Sequence, residues 1–409
     1  MALFVYGSVA KCSRFSTIFN GQNRVLLTGT FIKSFSSAPT SSTAASKKDN
    51  KITNQKEITK SVFISQSRDI YTNLALEDWL YKNFDFTNHH VMLLWRNEPC
   101  VVIGRHQNPW QEADVENLDK SGIALARRNS GGGSVYHDEG NLNITFFTPK
   151  DRYNRKENLE ILSRTLQKEW NLTPEINKKE DIVLDNNNKI SGTASRLGRP
   201  NSYHHCTLLV DVDREKLSKS LQKNELSVMT TATKSVPAPT LNLNDINSDI
   251  TMDKLMSAIG WSYLRTCPIT KKDEGWKYVE KQRGFQMINP TESWFPGLEK
   301  IRTELNSWEW KFGKTPKFTV HKNYELTNPG HGVMRICLLV DKGIVEEVVL
   351  HLPDGVSWAG LTGKVPLVST VTGQKFTPAL FRQVENAIKL QSIEFHEESI
   401  KSNEMVARI

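Results

Sequence analysis

The sequence predicts an α+β protein, in which a sheet flanked by helices is followed by a smaller α/β module. Three observations predict it. Between Ser61 and Val212, apolar runs of strand length are interspersed with stretches at helical spacing. Two polar tetrads, Arg96-Asn97-Glu98-Pro99 and Asp185-Asn186-Asn187-Asn188, separate such runs as turns between strands. After a polar stretch from Thr266 to Glu292, a second set of strand-length runs begins and a helical pattern closes it.

The elements follow in order. Ile70, Leu74, Leu76, Trp79 and Leu80 recur near helical spacing, giving a helix over 73–84. Val91 to Trp95 and Cys100 to Gly104 read as strands. Pro109 opens a helix that runs to about Gly122. Strands follow at 123–128, 134–137 and 142–148. Leu159, Leu162, Leu166 and Trp170 share one face of a helix over 157–170 that covers the sheet. A hairpin pairs 182–184 with 189–195, and 207–212 is a further strand. Helices are expected at 217–221 and 252–259. In the second module, 318–324, 333–340 and 344–350 read as strands and 378–393 as a helix. The expected boundaries are a leader and linker over 1–48, a catalytic domain over 61–268, a connection over 269–294 and an accessory domain over 295–409.

Composition excludes several function classes. The formal charge of +8 is concentrated at the N-terminus, where Lys11, Arg14, Arg24, Lys33, Lys47 and Lys48 precede the first acidic residue, Asp49. Without them 47 basic residues face 45 acidic ones, so the body lacks the electrostatic footprint of a nucleic-acid binder. The basic, Ser/Thr-rich leader is expected to be a mitochondrial transit peptide, cleaved between Phe35 and Ser46, which places the protein in the matrix. No run of 18 apolar residues exists, so no membrane-spanning helix is expected. Cys12, Cys100, Cys206, Cys267 and Cys337 are scattered, without a disulfide or zinc pattern.

The most restrictive stretch is Arg127 to Phe147, in which two arginines run into Gly131, Gly132 and Gly133. Consecutive glycines let backbone N–H groups turn toward a ligand, and Arg127 or Arg128 can clamp a phosphate with a planar fork of donors. Because strands flank it, this loop joins sheet elements and does not open a helix. His137 and Asp138 are adjacent on a strand and point to opposite faces, which argues against a protein-held metal there.

Six segments in order resemble the lipoate–protein ligase A and lipoyltransferase family of the biotin/lipoate ligase superfamily. They are Asn73-Leu-Ala-Leu-Glu77, Leu94-Trp95-Arg96-Asn97 with Val101 to Trp110, the Arg127 to Phe147 stretch, Lys189-Ile-Ser-Gly-Thr-Ala194, His204-His-Cys-Thr-Leu-Leu209 and Ser307-Trp-Glu-Trp-Lys-Phe-Gly313. The resemblance implies a mixed, mainly antiparallel sheet. It also implies attachment of a lipoyl or octanoyl group to one lysine of lipoyl domains, in 2-oxoacid dehydrogenase E2 subunits and the glycine cleavage H protein. The ligases of the family act through lipoyl-AMP made from lipoate and ATP. The alternative is a transferase that takes the acyl group from octanoyl-CoA or an acylated carrier protein without adenylation. A ligand sensor on the same fold is the non-enzyme alternative.

By family position Lys189 is the catalytic residue, touching both the acyl carbonyl and the α-phosphate. Arg128, Gly133, Ser134, Val135, Tyr136 and Asp181 match the adenylate site. Tyr136 fits a core position equally well, and Asp181 a turn before a strand. Gly132, His137, His205 and Lys189 match the lipoate site, and Trp95, Val102 and Leu209 are placed to line an acyl slot. Mg²⁺, if ATP is used, would be held mainly by the phosphates. Cys206 is weighed against a role as acyl carrier, since the nucleophile of cysteine-dependent transferases falls at Ser202. Where bacterial ligases carry Ser-Val-Arg, this chain has Ser235-Val236-Pro237 and lacks that cation.

Overall fold

Strands β1 (Thr59–Ser65), β2 (His89–Trp95), β3 (Cys100–Ile103), β4 (Ala124–Arg127), β5 (Val135–His137) and β6 (Asn141–Pro149) lay down the first half of the protein. Then come β7 (Glu175–Ile176), β8 (Ile182–Leu184), β9 (Asn188–Ser191), β10 (Thr193–Leu197) and β11 (Asn201–Leu209). This computed structural model describes residues 58–185, 187–223, 226–265, 284–326, 332–358, 361–367, 369–389 and 395–396. The expected transit peptide, Asn186 of the hairpin turn, residues 266–283 and the end of the last expected helix lie outside the described residues.

The main sheet has the order β10-β11-β6-β2-β1 and ends on β13 (Gly284–Ile288). Its β10–β11, β11–β6 and β6–β2 pairs are antiparallel, while β2–β1 and β1–β13 are parallel. The sheet is mixed, as the resemblance implies. Alternation along β2 explains how it is buried on both sides. Val91, Leu93 and Trp95 pack on one face with Leu74, Leu76 and Leu80 of the helix Ile70–Asn83. Met92 and Leu94 pack on the other with the helices Arg155–Trp170 and Met252–Leu264. A strand apolar at every position suits such a central place.

Two small sheets stand beside the main one, β4-β3-β5 and β7-β8-β9. The expected strand over 189–195 breaks at Gly192, so β9 belongs to the small sheet and β10 to the main sheet. At this corner Gly192 exchanges hydrogen bonds with Thr207: its N–H donates to Oγ1 at 3.1 Å, and Thr207 N–H donates to its carbonyl at 3.0 Å. The helix expected from Pro109 to Gly122 is two short helices, Pro109–Glu112 and Val115–Lys120. The cause is Asp114, whose carboxylate accepts from Asn117 N–H and caps the second.

The expected domain boundaries do not follow the packing. Gly284–Ile288, assigned to a connection, is an edge strand of the main sheet. Leu298 and Leu305 of the helix Leu298–Asn306, assigned to the accessory domain, are buried against the Ile70–Asn83 helix and its neighbours. Conversely β12 (Ser227–Thr230) pairs with β14 (Phe318–Leu326), in a sheet continued by β15 (Gly332–Asp341), β16 (Ile344–His351) and Lys364–Leu367. The helix Pro378–Lys389 packs on it through Leu380, Phe381 and Val384. Trp110 inserts among Phe312, Phe318 and Phe376, with ring centroids 5.1–5.3 Å apart. The polar texture of 269–294 had suggested a linker because an edge strand needs little apolar sequence.

Candidate active site

Lys189 leaves the β8–β9 hairpin with its ammonium folded over Gly192. A Cβ on Gly192 would lie 3.2 Å from Lys189 Cε, so the missing side chain is what lets the lysine turn inward. Lys189 Nζ lies 2.9 Å from Asp181 Oδ1, which takes one of its three donors and leaves two. The backbone is pinned as well: Lys189 N–H donates to Pro239 O at 2.8 Å, and Leu241 N–H to Lys189 O at 3.2 Å.

The ammonium borders a cavity of about 320 Å³. Leu74, Trp95, Val102, His137 and Asn143, all buried, form its inner wall. Lys179 and Lys234, both exposed, stand at its mouth. Sequence reasoning brought Lys189, Asp181, Arg128, Gly133, Ser134, Val135, His137, His205, Trp95 and Val102 to this cavity. It did not single out Leu74, Asn143 or Thr207, which lie inside the quoted segments, nor the two rim lysines, which lie outside them.

Four expected residues stand elsewhere or act otherwise. Tyr136 is buried in a cluster with Val101, Ile103, Leu118 and Leu125, because strand alternation turns it away from Val135 and His137. Leu209 joins the same cluster instead of the acyl slot. Gly132 lies outside the cavity lining and acts as a bend, with φ +86°; its carbonyl would be 2.1 Å from a Cβ on Gly104. Arg128 lines the cavity, but its guanidinium is spent on the loop. Nε donates to Ser130 Oγ at 3.0 Å, Nη1 to Val102 O at 3.0 Å, and Nη2 to the carbonyls of Gly131 and Gly133 at 2.6 and 2.7 Å. It holds the glycine loop in shape and does not stand free as a phosphate clamp.

Arg127 is fully buried and does similar work further out. Nη1 donates to Arg105 O and Gln107 O at 2.9 and 2.7 Å, Nη2 to Lys311 O and Thr315 Oγ1 at 2.7 and 2.9 Å. Trp310 Nε1 answers by donating to Arg127 O at 2.8 Å. The pair of arginines therefore braces the loop from both sides. Burial lowers both guanidinium pKa values to about 10, still well above neutrality.

The loop's amides are also partly occupied. Ser235 Oγ accepts from Ser134 N–H at 2.8 Å and from Gln107 Nε2 at 3.0 Å, while Ser235 N–H donates to Glu112 Oε1 at 3.2 Å. Behind the loop, Ser130 Oγ lies 2.8 Å from His205 Nε2, and His205 Nδ1 lies 2.9 Å from Glu77 Oε1. Thr145 Oγ1 donates to the same Glu77 oxygen at 2.8 Å. Burial favours the neutral form of Glu77, but the charge and hydrogen bond of His205, with Thr145 and Tyr203, overcome it and hold the pKa below the ordinary value. Cys206 is buried, its thiol donates to Ile144 O at 3.8 Å, and burial raises its pKa, so it is a core residue and no nucleophile.

A mixed sheet on which a braced glycine loop, a lysine hairpin and an apolar cavity converge defines a class, the acyl-attaching enzymes of lipoate–protein ligase type. Comparison with known proteins agrees. Residues 69–262 match the family described as the lipoyl protein ligase A/B catalytic domain. The mitochondrial lipoyl amidotransferase LIPT1 of Mus musculus is 41% identical over 77% of this chain and 81% of its own length. Lipoate-protein ligase A of Psychrobacter cryohalolentis is 35% identical over 68% of this chain and 78% of its own. Among solved structures, that of P. falciparum LipL1 in complex with lipoate is 27% identical, with a TM-score of 0.53, and the match covers 71% of this chain and 84% of that one. The chain belongs to the lipoate–protein ligase and lipoyltransferase family, and it is an enzyme.

Proposed function

We propose that this enzyme transfers a lipoyl or octanoyl group, already activated or already carried by a protein, to the ε-amine of a lysine on a lipoyl domain. The single observation that carries the reading is the half-exposed Lys189 ammonium. Among the described residues only Asp181 takes one of its donors, and it stands at the junction of a buried apolar cavity and an open mouth.

The chemistry follows from that placement. The acyl chain enters the apolar cavity and its carbonyl oxygen lies against Lys189 Nζ. The acceptor amine attacks the carbonyl carbon, the new C–N bond forms, and negative charge grows on oxygen where the fixed ammonium stabilises it. Collapse expels the leaving group, which takes the proton lost by the amine. Exchange of one lysine amide for another is nearly isoenergetic, so ATP is not required when the donor is an acylated carrier protein. The partly occupied glycine loop supports this reading, because Ser235 Oγ already takes the Ser134 N–H and the loop carbonyls already hold the Arg128 guanidinium. So does the likeness to a lipoyl amidotransferase. The acceptors are the lipoyl domains of 2-oxoacid dehydrogenase E2 subunits and the H protein, and the site of action is the mitochondrial matrix.

A second reading, ATP-dependent ligation through lipoyl-AMP with Mg²⁺ on the phosphates, is favoured by Lys179 and Lys234. Both are exposed at the mouth, and neither has a carboxylate within salt-bridge distance among the described residues. Measurement of lipoate-dependent pyrophosphate release from ATP separates the two. Transfer without adenylation predicts release no faster than without enzyme, and stoichiometric release with each acceptor modified would establish the ligase.

A further inference from the structure

Four residues that line the cavity, Trp95, His205, Arg128 and Gly133, are tied to one another by three that do not, Thr145, Glu77 and Ser130. The linking three are 0–1% exposed, so no substrate reaches them. The line of bonds is continuous. Trp95 Nε1 donates to Thr145 Oγ1 at 3.1 Å, and Thr145 Oγ1 to Glu77 Oε1 at 2.8 Å. His205 Nδ1 meets the same carboxylate oxygen at 2.9 Å, and its Nε2 meets Ser130 Oγ at 2.8 Å. Arg128 Nε donates to Ser130 Oγ at 3.0 Å, and Arg128 Nη2 to Gly133 O at 2.7 Å.

The direction of every bond follows from its ends. Indole and guanidinium nitrogens only donate, and an ionised carboxylate only accepts. Thr145 Oγ1 receives the indole hydrogen, so its own hydrogen goes to Glu77. Glu77 has a pKa below the ordinary value and is ionised, which puts a hydrogen on His205 Nδ1. Ser130 Oγ receives the Arg128 hydrogen and turns its own to the bare Nε2. Two lines of donors thus run inward, one from the acyl wall and one from Arg128, and both end on one carboxylate. The fold makes them meet: Thr145 and His205 stand side by side on β6 and β11, and the helix Ile70–Asn83 brings Glu77 onto them. Bonds in such a line polarise one another, so removal of a single hydroxyl weakens all of it.

We propose that Thr145, Glu77 and Ser130 are positioning residues, which act through Trp95, His205 and Arg128 to hold the acyl wall and the glycine loop in one fixed relation on either side of the carbonyl at Lys189. The inference rests on the acyl-transfer reading above. Its test is a double-mutant cycle of Thr145→Val, which keeps the shape and removes the hydroxyl, with Ser130→Ala, toward the other end of the line. Transfer from acylated H protein to an apo lipoyl domain is followed with the full chain, below the thermal midpoint of each variant. Each single change is expected to lower kcat about tenfold and to alter KM for the donor less than about twofold, since a misplaced group binds but reacts slowly. The double variant is expected to lie within about twofold of the slower single one, because the line is already broken. Thr145→Ser, which keeps the hydroxyl, is expected to recover most of the rate. Should Thr145→Val not fold, Glu77→Gln takes its place in the cycle. Single losses that multiply to about a hundredfold in the double variant, an unchanged kcat in the single ones, or a Thr145→Ser protein as slow as Thr145→Val overturn the positioning role and leave acyl transfer standing. No transfer by the unaltered protein overturns the acyl-transfer reading and the positioning role with it.

Discussion

Lys189 owes its reach to two neighbours, Gly192 beneath it and Asp181 beside it. In the proposed transfer, removing the ammonium leaves the developing oxyanion without its fixed charge. Lys189→Ala is expected to slow acyl transfer by on the order of 10²–10³ with an unchanged thermal midpoint, read by the mass of the acceptor domain. Arg127 is the opposite kind of residue. Among the described residues it has no carboxylate partner, and its whole guanidinium is met by carbonyls and one hydroxyl. Arg127→Met would leave several of those acceptors buried and unmet, and a loss of about 3 kcal/mol or more in denaturant unfolding is expected. The sequence showed two adjacent arginines before three glycines and could not say which faces ligand. The answer is that both are braces, because only tertiary structure brings the carbonyls of Lys311 and Val102 within reach.

At the scale of elements, the glycine loop depends on a glycine outside it. A methyl group at residue 104 would lie 2.1 Å from Gly132 O, and backbone cannot yield as a side chain can. Gly104→Ala is expected to lower transfer activity by at least tenfold, and limited proteolysis should cut near 130–134 faster than in the unaltered protein. Trp110 carries a comparable burden where the helix Pro109–Glu112 meets the sheet of β14 to β16. Its ring is 5% exposed among three phenylalanines, so Trp110→Ala should cost about 3–5 kcal/mol in unfolding free energy. Element identity was legible wherever apolar spacing was regular, as in Arg155–Trp170 and β14 to β16. It failed at Gly192 and Asp114, where one corner or one cap redirects a chain whose spacing alone reads as continuous.

Among the described residues, three histidines are buried in the neutral form. Burial pushes His137 down to about 3 and His90 to about 4, and lowers His204 well below its ordinary value of 6.5. In the unfolded chain they take up protons near pH 6.5, and in the folded protein they resist. Their contribution to stability is therefore complete above about pH 6.5 and is lost progressively as pH falls toward 4. The thermal midpoint should drop steadily between pH 7 and pH 5; a flat or rising profile would contradict the buried neutral state.

The ordered motifs made the family legible and singled out Lys189, which the fold places at the cavity. The domain boundary was not, because β12 and β13 exchange places between the two sheets with short, half-polar sequences. The donor was not legible either, since glycines and lysines suit a phosphate and an acyl carbonyl alike. The most direct measurement mixes the full chain and an apo lipoyl domain with lipoate and ATP, with octanoyl-CoA, or with acylated H protein, and reads the acceptor mass. Product from the acylated protein without ATP is the expected result, and product from lipoate with ATP alone would contradict the account.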